Sequence, residues 1–154
     1  MAGERDFEFD IREACPNRVR YLREAVDMLT HNYPDVDVVE KGVELGPCVY
    51  RTVFRSMVKE DFKAAALAVS RINEFVRNIV ASLETYGWRA FEKESYIDGG
   101  YVYVDVTWVR RIRLPNKRYA SLMDIYELSL PYIEGEYRRG AVFFGSLRGE
   151  AVAQ

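Results

Sequence analysis

The side chains in this sequence with chemistry to offer are arginines and aromatics set at strand spacing. The run Tyr101–Leu114 reads YVYVDVTWVRRIRL. Alternate residues of a strand point to opposite faces. Even positions give Val102, Val104, Val106, Trp108, Arg110, Ile112 and Leu114, a nearly continuous apolar stripe. Odd positions give Tyr101, Tyr103, Asp105, Thr107, Val109, Arg111 and Arg113. The same rule places Arg51 and Arg55 of CVYRTVFRSMV, and Arg89, Phe91 and Lys93 of the run after Gly87, on the face away from the core. Lys117 and Arg118 follow in the next loop. Guanidinium and ammonium groups pair with phosphates, and flat rings stack on unpaired bases at about 1–3 kcal/mol per base. Duplexes hide their base faces, so the pattern predicts a single-stranded ligand.

Catalysis has little material here. The sequence has no Gly-rich phosphate loop and no nucleophile elbow. Its single histidine, His31, is predicted in the last turn of a helix, where it favours the negative end of the dipole. Asp98, Asp105 and Glu92 are the one candidate carboxylate set for a metal, and hairpin polarity accounts for them more simply. The expectation is a binding protein without enzymatic activity, cofactor or metal.

These side chains need elements to position them. Residues 1–12 read as an acidic flexible arm. A helix is predicted from Pro16 to Tyr33, with Cys15, Val19, Leu22, Val26, Leu29 and Tyr33 on one face. Val36 to Leu45 is strand-like, with a bulge or a turn left open at Lys41-Gly42, and Gly46-Pro47 reads as a turn. The strand Cys48–Val58 should send Tyr50 and Phe54 inward and Arg51 and Arg55 outward, because unpaired arginines resist burial. Lys59–Tyr86 is the clearest helix, striped by Phe62, Ala65, Ala66, Val69, Ile72, Val76, Ile79, Leu83 and Tyr86. Phe75 lies off that stripe and implies either a wide core face or a second contact. Trp88–Ile97, the turn Asp98-Gly99-Gly100 and Tyr101–Leu114 form a second hairpin. A short helix is predicted over Tyr119–Leu130, with Leu122, Ile125, Tyr126 and Ser129 inward. Residues 131–154 form a glycine-broken tail whose apolar residues need cover, from the sheet or from a second copy of the chain in a homodimer.

The fold class is therefore α+β in a single domain, residues 1–154. A four-stranded antiparallel sheet from two hairpins is packed on one face by a long central helix and flanking helices, which leaves the other face open. The sequence has 154 residues, 49% of them hydrophobic and 30% charged, enough for one core. No apolar run is long enough to span a bilayer, and the acidic first residues lack a signal core, so the expectation is a cytoplasmic protein away from membranes. Cys15 and Cys48 are too few for a disulfide framework and read as buried thiols. Net charge is −2 and unevenly placed. Residues 1–46 hold 6 basic and 11 acidic side chains, whereas residues 101–154 hold 8 and 6. Any attraction for phosphate must come from a local patch, since screening acts within about 10 Å. Arginines outnumber lysines 17 to 5, which leans toward a heat-adapted source.

The two hairpins around the Lys59–Tyr86 helix, with the aromatic and basic content of CVYRTVFR and YVYVDVTWVRRIRL, resemble the ThermoDBP family over residues 15–130. These are single-stranded DNA-binding proteins of hyperthermophilic archaea. The resemblance implies a sequence-tolerant cleft with an apolar floor and basic walls. Arg51, Arg55, Arg111 and Arg113 would be walls; Tyr101, Tyr103 and Phe91 would be floor. One difference stands out. The founding type ends in a leucine-zipper helix, whereas the tail here, with Gly135, Gly140, Gly145 and Gly149, has no heptads. The expected function is binding of single-stranded DNA or RNA without reading sequence. A protein-interaction or assembly subunit is the alternative.

Overall fold

The apolar stripes set the layers. A computed structural model describes residues 3–15, 18–58 and 61–131. The described elements are α1 (Gly3–Ala14), α2 (Arg18–Thr30), β1 (Val36–Gly46), β2 (Val49–Met57), α3 (Phe62–Glu84), β3 (Trp88–Asp98), β4 (Tyr101–Arg110) and α4 (Leu122–Glu127). The four strands form one antiparallel sheet in the order β1-β2-β4-β3, so the two hairpins join through β2 and β4. The β3–β4 turn falls on Gly99 and Gly100, both at positive φ, the conformation that two-residue hairpin turns need. The domain is α+β, with the long α3 against the sheet.

The even-parity face of β4 is the main core. Val102, Val104, Val106 and Trp108 pack with Tyr50 and Phe54 of β2 under α2 and α3. Leu22 and Val26 come from α2; Ile72, Phe75, Val76, Ile79 and Leu83 come from α3. Phe75 is fully buried edge-on against Phe54 and Tyr33, so the helix has a wide core face. Phe62, expected to begin the stripe, is 85% exposed at the first residue of α3, and the buried residues of the helix begin at Ile72. The Trp108 indole donates to the Thr52 hydroxyl at 2.8 Å, which satisfies both buried polar groups. Each large apolar side chain buried this way contributes about 1.5–3 kcal/mol.

Several expectations change. Of the stretch expected as an arm, residues 3–12 form most of α1, and Ile11 is fully buried. The face expected to be open is covered at one end. Val49 and Val109 face away from α3 and are buried with Ile11, Leu45, Ile112 and Ile125 in a second core under α1 and α4. The reason lies in β4, where Trp108 and Val109 are adjacent apolar residues, so both faces need cover there. Of the two alternatives open at Lys41-Gly42, the bulge is the one found, within one continuous strand. Cys15 and Cys48 form a disulfide instead of free thiols. The tail expected as an oligomerisation segment lies, from residue 132 onward, outside the described residues. No helix among the described residues is long and apolar enough to cross a membrane.

Candidate nucleic-acid interface

Ladder pairing fixes what the sheet face away from α3 carries. In antiparallel strands, directly opposed residues share a face. Arg55 lies between Asp37 and Tyr103, with Tyr96 beyond; Val53 lies between Glu40 and Asp105, with Glu94 beyond; Arg51 lies opposite Thr107, with Glu92 beyond. Carboxylates therefore outnumber arginines on this face, contrary to the basic surface expected from sequence. Both arginines are engaged. Arg51 donates to both Asp105 oxygens, at 2.7–3.1 Å, and sits 3.6 Å from Glu40. Burial alone would lower the Arg51 pKa; the Asp105 hydrogen bond, with the Asp105, Glu40 and Tyr96 charges, raises it instead. Arg55 lies 4.2 Å above the Tyr101 ring and 3.6 Å from Asp37, and its pKa is raised, first by a hydrogen bond to Tyr103.

The rings expected as an open floor are partly used. Tyr103 stacks on Tyr96, with centroids 5.0 Å apart and planes within 10°. Phe91 stacks on Tyr126 of α4 at 4.5 Å and joins the second core. A bulge between Ala90 and Glu92 makes Phe91 the extra residue. Every residue after it changes face, so Lys93 pairs with Val106 and lies on the α3 side, not with Arg51 and Arg55. Glu92, Asp105 and Asp98 occupy different rungs, and no group of three His, Cys, Asp or Glu among the described residues is placed to hold a metal ion.

The remaining arginines gather elsewhere. At the Arg110 end of β4, a recess of about 540 Å³ is lined by Arg18, Arg89, Arg110, Arg111 and Arg113, with Tyr86 and Tyr119. Among the described residues, Glu84 is the only acid that lines it. Among the described residues, none of these five arginines has a carboxylate partner; Arg18, Arg89, Arg110 and Arg113 are held by backbone carbonyls, and Arg111 lies on the Tyr119 ring. Arg18 Nε donates to the Ala14 carbonyl at 3.1 Å. Arg89 Nη1 donates to the Glu84 and Trp88 carbonyls at 3.0 Å, at the C-terminal end of α3 where a cation is favoured. Arg110 Nη1 reaches the Gly87 and Arg111 carbonyls.

The local backbone explains the gathering. β4 ends at Arg110, and the chain folds back so that Arg113 bridges Tyr119 and the Ala120 amide donates to the Ile112 carbonyl at 2.9 Å. This small loop brings Tyr119 to Arg111, whose guanidinium lies 3.8 Å above the ring, with Arg113 at 5.8 Å. Gly87 stops α3 at φ +84°, and a Cβ there would overlap the Arg110 guanidinium. The disulfide ties the backbone beneath two of these arginines. The Cys15 carbonyl accepts the Arg18 amide at 3.1 Å, and the Cys48 carbonyl accepts the Arg110 amide at 2.9 Å. The crowding has an electrostatic cost: burial first, then Arg18 and Arg89, lowers the Arg110 pKa. A bound anion would relieve that repulsion.

Arg89, Arg111 and Arg113, read from sequence, are thus brought together, and Lys117 and Arg118 lie exposed at the adjoining loop tip. Arg51, Arg55, Tyr101 and Tyr103 are not part of the recess. Tyr101 and Arg111 are ten residues apart along extended chain, about 33 Å, so walls and floor do not form one cleft. Sequence reasoning missed Arg18, Arg110, Tyr86 and Tyr119. The signals were present: Arg110 on a core-facing parity, and the dense basic run from Arg110 to Arg118 ending on a tyrosine. Comparison with protein-family models, curated proteins and solved structures finds no match to this chain.

Proposed function

We propose that the protein binds single-stranded nucleic acid, DNA or RNA, without reading sequence, and that the arginine recess rather than the sheet face takes the phosphates. One observation carries the reading: five arginines without a carboxylate partner among the described residues converge beside two exposed tyrosines. Phosphate is the anion that several guanidinium forks suit. The rings select among phosphate carriers. Tyr86 and Tyr119 are 58% and 54% exposed, and Tyr119 is backed by Arg111 on one face, which suits stacking of an unpaired base on the other. This keeps the function that the ThermoDBP resemblance implies and moves its location. A cytoplasmic setting is compatible with the Cys15–Cys48 disulfide in a heat-adapted source, where intracellular disulfides are common.

Fluorescence anisotropy with labelled oligo-dT tests the proposal. Affinity should fall with salt as counterions are released, with a log–log slope near −2 if about three phosphates are neutralised. Arg111→Ala and Arg113→Ala together should make that slope shallower without lowering the melting temperature, because both groups are exposed. Absence of binding at micromolar protein in low salt refutes the function.

A further inference from the structure

Resting on the single-strand reading above, we infer that the recess seats the end of a strand through a terminal phosphate monoester rather than gripping internal phosphodiesters. Three features of the site support this. The first is charge. An internal diester carries one negative charge, whereas a terminal monoester carries about 1.5 to 2 at neutral pH. Five arginines lining about 540 Å³, with Arg18 and Arg89 acting on a partly buried Arg110, are better neutralised by the second.

The second is size. The volume is that of a small-ligand pocket, whereas surfaces that track a backbone accommodate roughly 4–16 nucleotides. The third is the charge around the recess. A strand held by its middle needs favourable surface leading away on two sides. Lys117 and Arg118 extend the positive surface along one side. The sheet face beyond the second core instead carries five carboxylates, Asp37, Glu40, Glu92, Glu94 and Asp105, against two arginines, Arg51 and Arg55, and so stays negative on balance. A strand that terminates in the recess needs only the Lys117–Arg118 exit. In that arrangement the guanidinium groups hold the terminal phosphate, and Tyr119 stacks on the first base.

The test uses oligo-dT of about ten nucleotides labelled at one end. The other end carries a phosphate or a hydroxyl, in both the 5′ and 3′ versions, and a circular single strand is the comparison. The expected result is at least tenfold tighter binding of one phosphorylated end than of its hydroxyl counterpart, with the circle weakest. The polarity showing the preference identifies which terminus is bound. Arg18→Ala and Arg111→Ala should each flatten the preference to less than threefold, and Arg18→Lys should retain part of it, while circular dichroism melts confirm folding. Equal affinity for phosphorylated, unphosphorylated and circular strands overturns end recognition and leaves single-strand binding intact. Failure of every oligomer to bind refutes single-strand binding itself, and the inference with it.

Discussion

Replacing Arg51 by alanine separates the sheet face from the recess most sharply. Arg51 and Asp105 make a two-pronged pair, and their side chains are only 17% and 13% exposed. Breaking a fully buried pair by removing one partner costs about 3–5 kcal/mol. With residual exposure, the expected loss for Arg51→Ala is about 2–4 kcal/mol, because Asp105 and Glu40 are left facing the same space without their cation. Asp105→Ala should cost less, about 1–3 kcal/mol, since Arg51 keeps Glu40 at 3.6 Å. The double variant should be more stable than the summed losses by at least about 1 kcal/mol. Urea unfolding reads this directly: at a slope of about 2 kcal/mol/M, Arg51→Ala lowers the midpoint by roughly 1–2 M. Oligo-dT affinity, measured where the variant is folded, should stay within twofold of the wild type, while Arg111→Ala weakens it. The reasoning is refuted if Arg51→Ala barely shifts the midpoint and weakens binding as much as Arg111→Ala. That outcome would return nucleic acid to the sheet face.

Three further outcomes follow from the recess and its supports. Gly87→Ala must hold alanine at φ +84° and displace the Arg110 guanidinium; a loss of about 1–2 kcal/mol should appear in the thermal melt, with several-fold weaker oligo-dT binding in the anisotropy titration. Reducing the Cys15–Cys48 disulfide, which spans a sequence separation of 33, should cost about 3–4 kcal/mol by loop-closure entropy, or roughly 6–16 °C in melting temperature; because both cysteine carbonyls hold recess arginines, oligo-dT affinity should fall as well. Alkaline melts test Tyr50, whose pKa is raised chiefly by burial, then by Glu44, with Arg23 opposing. A raised tyrosine pKa stabilises the fold fully below the unfolded value of about 10, and that contribution is lost as pH rises through the folded value. Tyr50→Phe should therefore lose less stability than the wild type above about pH 10; Tyr126, also raised by burial and Glu92, acts in the same direction.

Periodicity made the strands, the long helix and the main core legible, because burial on one face leaves a regular imprint. Tyr50, Phe54 and Val102 to Trp108 follow it directly. The rest was hidden wherever regularity breaks. The single extra residue at Phe91 reverses the faces after it, and no local feature of WRAFEKES marks where it falls. Pairing across strands was equally invisible. Arg51 and Arg55 were correctly turned away from α3, but their carboxylate partners come from residues 54 and 18 positions away in sequence. The disulfide joins two cysteines whose proximity exists only after α1 and the β1–β2 turn have packed. The recess draws on the ends of several elements, so no short motif encodes it.

The bond between Cys15 and Cys48 also changes what cutting the chain can do. It closes a covalent ring through residues 15–48, and that ring contains all of α2 and β1. A protease that cleaves once within the ring opens it without separating the molecule into pieces. The β1 edge would remain tethered at both ends of the break, held to β2 by its ladder and to the rest of the chain by sulfur. A single nick between α2 and β1 should therefore leave one band on a non-reducing gel and two after reduction.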